Sequence, residues 1–209
     1  MGKPQWSKRP LDELDAEQLA AYERRRAQLL EAARAVVSRL GDDFTMADVA
    51  REAGLGMSSV YRTFSSKEDL LIELLHARKQ QWLTIWQRAE ARDDAGPALV
   101  DAMWEFAELE HRDLGLAAAL RDLAFSRRDL VTETESIGQR VLARAQAVGA
   151  IRADAEYRDV LRIFHMLSSL ADEREWRRGL ALYLDGMRAA GEPLVGREAP
   201  GASVPAGGW

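Results

Sequence analysis

Apolar residues recur at helical spacing along almost the whole chain, and nowhere do they alternate with polar ones as a half-buried strand requires. Leu29, Leu30, Ala33, Val36, Val37 and Leu40 share one face of a first helix, which Asp15 with Gln18 can cap early and Gly41 can end. Thr45 then caps a second helix, with Asp48 three residues on completing a capping box. Met46, Val49, Ala50 and Ala53 form its apolar face, and Gly54 suits the left-handed residue that closes it. Leu55 can fill the space between crossing helices, and Gly56 opens a third helix, Met57 to Phe64, with Val60, Tyr61 and Phe64 on its apolar side. Ser66 with Asp69 forms another capping box, starting a helix at Lys67. Leu71, Leu74, Leu75, Trp82, Ile85, Trp86 and Ala89 carry this helix unbroken to about Ala91.

Asp93-Asp94-Ala95-Gly96-Pro97 interrupts the pattern, since Gly and Pro disfavour helix interiors and Pro suits a first turn. The next helix, Pro97 to about Glu110, carries Leu99, Val100, Met103, Trp104, Phe106 and Ala107. A short helix follows around Leu114 to Leu123, then a longer one from Leu130 to Val148 before Gly149. The last two are expected from Asp154 or Ala155 to Leu170 and from Glu173 to about Ala190. The fold class predicted is all-α.

The segment Thr45 to Leu70 resembles the DNA-binding domain of the tetracycline-repressor-like (TetR) family of bacterial transcriptional regulators. The matching residues are Thr45, Val49-Ala50, Ala53-Gly54-Leu55, Val60-Tyr61-Arg62 followed by Phe64, and Ser66-Lys67-Glu68 before Leu70. Leu29-Leu30-Glu31-Ala32-Ala33 and Val36-Val37 look like the family's first helix, extending the match over roughly 24–75. Gly56 stands where a serine or threonine often caps the reading helix, and Thr63 where a histidine is common. A plain helical hairpin is the alternative, but it does not need Tyr61 and Lys67 at those offsets.

The resemblance implies a three-helix helix-turn-helix domain over 24–75 and a helical ligand-binding and dimerisation domain over 76–190. Residues 1–23 are expected to be a basic arm and early helix, and 191–209, rich in Gly, Pro and Ser, a disordered tail. Thr45, Ser59, Tyr61 and Lys67 are the candidates for phosphate contacts, with Met57, Ser58 and Arg62 for base edges. The spacing Trp176, Leu180, Tyr183, Met187 is an apolar seam. With Phe164, it is the candidate dimer interface, since the family's last two helices build a four-helix interface between subunits. Two reading helices must also sit about 34 to 36 Å apart to enter successive major grooves, which calls for a dimer on palindromic operator DNA.

Composition narrows the alternatives. The 209 residues are 47% hydrophobic, enough for one or two domains with a real core. Cys is absent, which removes disulfides, thiolate metal sites and cysteine nucleophiles. No apolar run is long enough for a membrane span and no signal-peptide pattern is seen, so a cytoplasmic protein is expected. Net charge is 0 over residues 1–80 and −5 over 81–209, unlike the strongly basic footprint of a non-specific nucleic-acid binder.

Trp82, Trp86, Met103, Trp104, Ala107, His111, Phe125 and Met166 are the candidates for an apolar effector pocket, with ordinary core as the alternative for each. No enzyme and no cofactor is expected. One competing pattern is Glu73-Leu-Leu-His76 and Glu108-Leu-Glu-His111, the Glu-x-x-His spacing that carboxylate-bridged metal proteins use twice, with Glu31 or Glu52 and Glu135 or Glu156 as partners. A helical scaffold without ligand is the third reading.

Overall fold

The computed structural model of the chain describes residues 15–189, apart from the side chains of Asp122 and Phe125. The expected basic arm over residues 1–10 and the tail over 191–209 lie outside the described residues. The helices are α1 (Ala16–Leu40), α2 (Met46–Glu52), α3 (Met57–Thr63), α4 (Lys67–Glu90), α5 (Ala95–His111), α6 (Leu114–Ser126), α7 (Thr132–Ala147), α8 (Tyr157–Leu167) and α9 (Glu173–Gly186). Among the described residues there is no strand, only an isolated bridge between Ile151 and Arg188. The fold is all-α, an N-terminal helix-turn-helix followed by a helical C-terminal region.

Side-chain oxygens account for most of the helix starts. Asp15 and Gln18 form the reciprocal box that begins α1, and Thr45 with Asp48 does the same for α2. Ser66 accepts from the backbone N–H of Asp69 at 3.0 Å and so caps α4, but the return arm of the expected box is not made. Gly54 (φ 63°) lets the chain turn out of α2, with the N–H of Leu55 reaching back to the Ala50 carbonyl at 2.9 Å.

Five boundaries differ from the periodicity. α5 begins at Ala95, two residues before Pro97, because Pro needs no hydrogen-bonded N–H in a first turn. The expected helix start at Leu130 is a 3-10 turn, Arg128–Leu130, and α7 begins at Thr132. α8 begins at Tyr157 and ends at Leu167, short of Leu170, and α9 ends at Gly186.

The buried side chains fall into two clusters. One joins Leu29, Ala33, Val36 and Val37 of α1 to Phe44, Val49, Val60, Phe64, Leu70, Leu74 and Leu75. Leu116, Ala119 and Leu120 of α6 belong to this same cluster. The other is built from Leu83, Ile85 and Trp86 of α4 with the inner faces of α5, α7, α8 and α9. Trp82 packs against both.

Candidate functional site

The third helix turns its polar side out. Val60 is fully buried, and Phe64 just beyond the helix end is 3% exposed, so this i, i+4 pair anchors the helix on the first core. Tyr61, one position on and about 100° round the helix, is 52% exposed rather than packed with them. Met57, Ser58 and Arg62 are exposed beside it, and Ser59 is half-buried. Arg62 donates to the Ser59 hydroxyl at 2.9 Å, which holds the guanidinium along the helix surface.

Two of the expected phosphate contacts are already engaged within the chain. The Thr45 hydroxyl accepts from the Asp48 N–H at 3.2 Å and donates to the Asp48 carboxylate at 2.6 Å, so it is committed to capping. Lys67 donates to the Asp42 carbonyl and lies 4.3 Å from the centre of the Phe44 ring. Its ammonium therefore ties the start of α4 to the chain between α1 and α2.

In the C-terminal region a cavity of about 140 Å³ lies among α4 to α8. Its apolar lining includes Trp82, Phe106, Ala117, Ala124, Val131, Tyr157, Leu161 and Phe164. Trp82, Phe106 and Phe164 form a stacked ladder, with ring centres 5.7 Å and 4.4 Å apart. Polar groups interrupt it at Glu110, Arg121, Arg128, Thr134, Glu135, His165 and Ser168.

Glu110 accepts from the Trp82 indole at 2.9 Å and lies 3.8 Å from the buried guanidinium of Arg78, which also donates to the Leu109 carbonyl. Burial pushes the Glu110 carboxyl above its ordinary range, and the Arg78 charge opposes that shift. Burial likewise raises the Tyr157 phenol, helped by the nearby Glu135 carboxylate.

The sequence expectations for the pocket divide. Trp82 lines the cavity. Trp86, Met103 and Ala107 do not; all three are almost wholly buried in the second core. Trp104 leans instead on Trp176, and His111 stacks on the same ring at 4.3 Å. The His111 nitrogens face the carbonyls of Ala107 and Leu167 at 2.8 and 3.0 Å, a position that bridges α5 to the end of α8. Met166 is 64% exposed on the outer side, and the Phe125 side chain is not among those described.

The seam on the last helix also divides. Trp176 and Leu180 are buried within the chain, because the apolar stripe of α9 faces α5 and α8. Phe164 turns into the cavity. Tyr183 and Met187 border an outer groove with Ile163 and Met166, where the Tyr183 hydroxyl is buried without a hydrogen-bond partner among the described residues.

The two Glu-x-x-His pairs are not brought together. Glu73 is paired with Arg26, Glu108 with Arg177 at 3.1 Å, and no three His, Asp or Glu converge among the described residues. The donors the carboxylate-metal reading requires are therefore dispersed.

The cavity residues that periodicity does not single out are chiefly Arg121, Arg128, Thr134 and His165. Arg121 carries the one legible signal, a charge directly after the apolar run Leu114-Gly-Leu-Ala-Ala-Ala-Leu.

Comparison with known proteins gives matches at both ends of the chain. Residues 29–74 match the model for bacterial regulatory proteins of the tetR family, and residues 94–189 the model for the C-terminal domain of SbtR-like transcriptional regulators. The chain is 27% identical to the TetR transcriptional regulator SCO0520 from Streptomyces coelicolor, over 79% of this chain and 99% of that one, with a TM-score of 0.54. It is 25% identical to a TetR regulatory protein from Mycobacterium vanbaalenii, over 81% and 98%, with a TM-score of 0.57. The fatty acid degradation regulator FadR from Bacillus halodurans shares the fold, at 18% identity over 79% and 97% and a TM-score of 0.62. No curated protein matches.

Proposed function

The chain belongs to the TetR family of bacterial DNA-binding transcriptional regulators, and from that premise we propose that it is a homodimeric repressor released from a palindromic operator by a small ligand. Residues 24–75 are the reading head in this proposal, and 76–190 the effector and dimerisation region. The outer faces of α8 and α9 meet those of a second subunit. Met57, Ser58 and Arg62 read base edges, while Tyr61, Ser59 and Lys67 hold phosphates, with Thr45 contributing through the helix start it caps.

The observation that carries the proposal is the double allegiance of α6. Ala117, Arg121 and Ala124 line the cavity, whereas Leu116, Ala119 and Leu120 of the same helix are packed in the core of the reading head. Gly115 lies so close to α1 that an added methyl group would overlap the Ser38 carbonyl. A ligand that displaces α6 by part of an ångström thus moves α1 with it, because packed interfaces shift as units. α4 is a second link, since Trp82 lines the cavity on the helix whose first residue is Lys67.

The ligand must bind the released and DNA-bound arrangements unequally, and about 1.4 kcal/mol of coupling gives a tenfold loss of operator affinity. Tryptophan quenching that is lost in Trp82→Phe identifies compounds that enter the cavity, and each is then titrated against protein on its operator. Loss of DNA binding in step with occupancy supports the mechanism. Cavity ligands that all leave operator affinity unchanged would refute it.

A further inference from the structure

We propose that the cavity selects a small amphipathic carboxylic acid, with its apolar body on the Trp82, Phe106 and Phe164 ladder and its carboxylate on Arg121. This rests on reading the cavity as the effector site. The charges around it carry the argument. Arg128 is neutralised by Glu135 through two hydrogen bonds of 3.0 and 2.9 Å, and Glu110 has Arg78 and the Trp82 indole. Arg121 makes no ion pair among the described residues; its one hydrogen-bond contact there is with the His165 Nδ1 nitrogen at 3.3 Å, and the Glu110 carboxyl that feels its charge is already engaged by Arg78 and the Trp82 indole. A guanidinium bordering an apolar cavity, with no carboxylate bonded directly to it among the described residues, favours an anion, and its planar fork matches a carboxylate.

A second, independent observation lies on the same cavity lining. Thr134 is 4% exposed, and its hydroxyl is buried without a hydrogen-bond partner among the described residues. Leaving such a group unsatisfied is costly, so a ligand oxygen that pairs with it gains affinity. A cavity of about 140 Å³ limits the ligand to a compact body, an aryl ring or a short alkyl chain.

The test measures binding of 3-phenylpropanoate and octanoate by calorimetry, beside the neutral 3-phenylpropanamide and octanamide and the cation 3-phenylpropylamine. Operator release is followed in parallel. Wild-type protein is expected to prefer each acid over its amide by at least tenfold. Arg121→Met, which keeps the apolar stem, should bring that ratio close to one by weakening the acids far more than the amides, and Arg121→Lys should restore part of it. Thr134→Val, which keeps the shape, should weaken the acids several-fold without altering the melting temperature by more than a few degrees.

Equal binding of acid and amide, preference for the amine, or an acid preference that survives Arg121→Met overturns carboxylate recognition and leaves the effector reading standing. Acids that bind through Arg121 yet leave the operator complex intact sink the effector reading alone. Failure of every probe to bind overturns carboxylate recognition and leaves the effector reading standing.

Discussion

Arg62 and Lys67 are the two side chains whose removal separates base recognition from backbone attraction. Arg62→Ala should cost about 1–3 kcal/mol on the preferred operator and less on altered sites, so that sequence preference relaxes, as competition binding on single-base variants will report. Lys67→Ala should weaken all sequences alike and flatten the salt dependence by about one unit of slope for each phosphate it no longer neutralises. It should also lower the melting temperature, because Lys67 is bonded to the Asp42 carbonyl and lies over Phe44. Equal losses on every sequence from both variants contradict this division. A third residue-scale prediction concerns Glu110, whose carboxyl is raised by burial. The folded chain therefore holds its proton above the ordinary 4.5, and the stability this contributes is lost as pH rises from there through the folded value. Glu110→Gln keeps an acceptor for the Trp82 indole but cannot ionise. The stability of wild type relative to this variant should fall with rising pH from 4.5 upward, and a pH-independent difference would count against the assignment. Tyr61 shows where the sequence falls short at the level of single residues. Its place next to Val60 suggests a shared apolar side, whereas only the i, i+4 partner Phe64 turns inward with Val60.

At the scale of helices, local chemistry is the most legible part of the chain. The Asp15 and Thr45 boxes, Gly54 and the unbroken pattern from Lys67 all act within a few residues, and each has its counterpart in the structure. Thr45→Ala should therefore destabilise the fold by about 1 kcal/mol, measured by urea unfolding, with no other helix affected. What α6 does is not legible, because its two faces serve partners that are far apart in sequence. Leu116 and Leu120 meet residues of α1, while Ala117 and Arg121 meet the cavity. Gly115→Ala tests that placement. Alanine ordinarily favours a helix over glycine by about 1 kcal/mol. Here its methyl overlaps the Ser38 carbonyl, so a net loss of about 1–3 kcal/mol is expected, together with weaker coupling between ligand and operator. A stabilised variant with unaltered coupling would contradict the close approach. The seam on α9 misleads for a related reason: a stripe of period 3.6 says that a face is covered, and Trp176 and Leu180 are covered by the chain itself.

For the molecule as a whole, the proposal requires two chains. The outer groove beside Ile163, Met166, Tyr183 and Met187 is the surface on which a second copy is expected. Met166 and Leu182 are 64% and 62% exposed in the single chain, so Met166→Asp should leave the fold intact while dissociating the dimer, as sedimentation will show. A Met166→Asp chain that remains dimeric would place the interface elsewhere. The same variant should lose most of its operator affinity, since a single reading helix contacts only half a site. The neutral reading head makes that dependence stronger, because non-specific attraction to phosphate cannot compensate. The most direct test of a dimeric, sequence-specific regulator is selection of the purified protein against random duplex DNA, sequencing what survives a moderate-salt wash. A palindromic motif with half-sites about one helical turn apart is the predicted result. Recovery of no motif, or of a single unpaired half-site, would contradict the account.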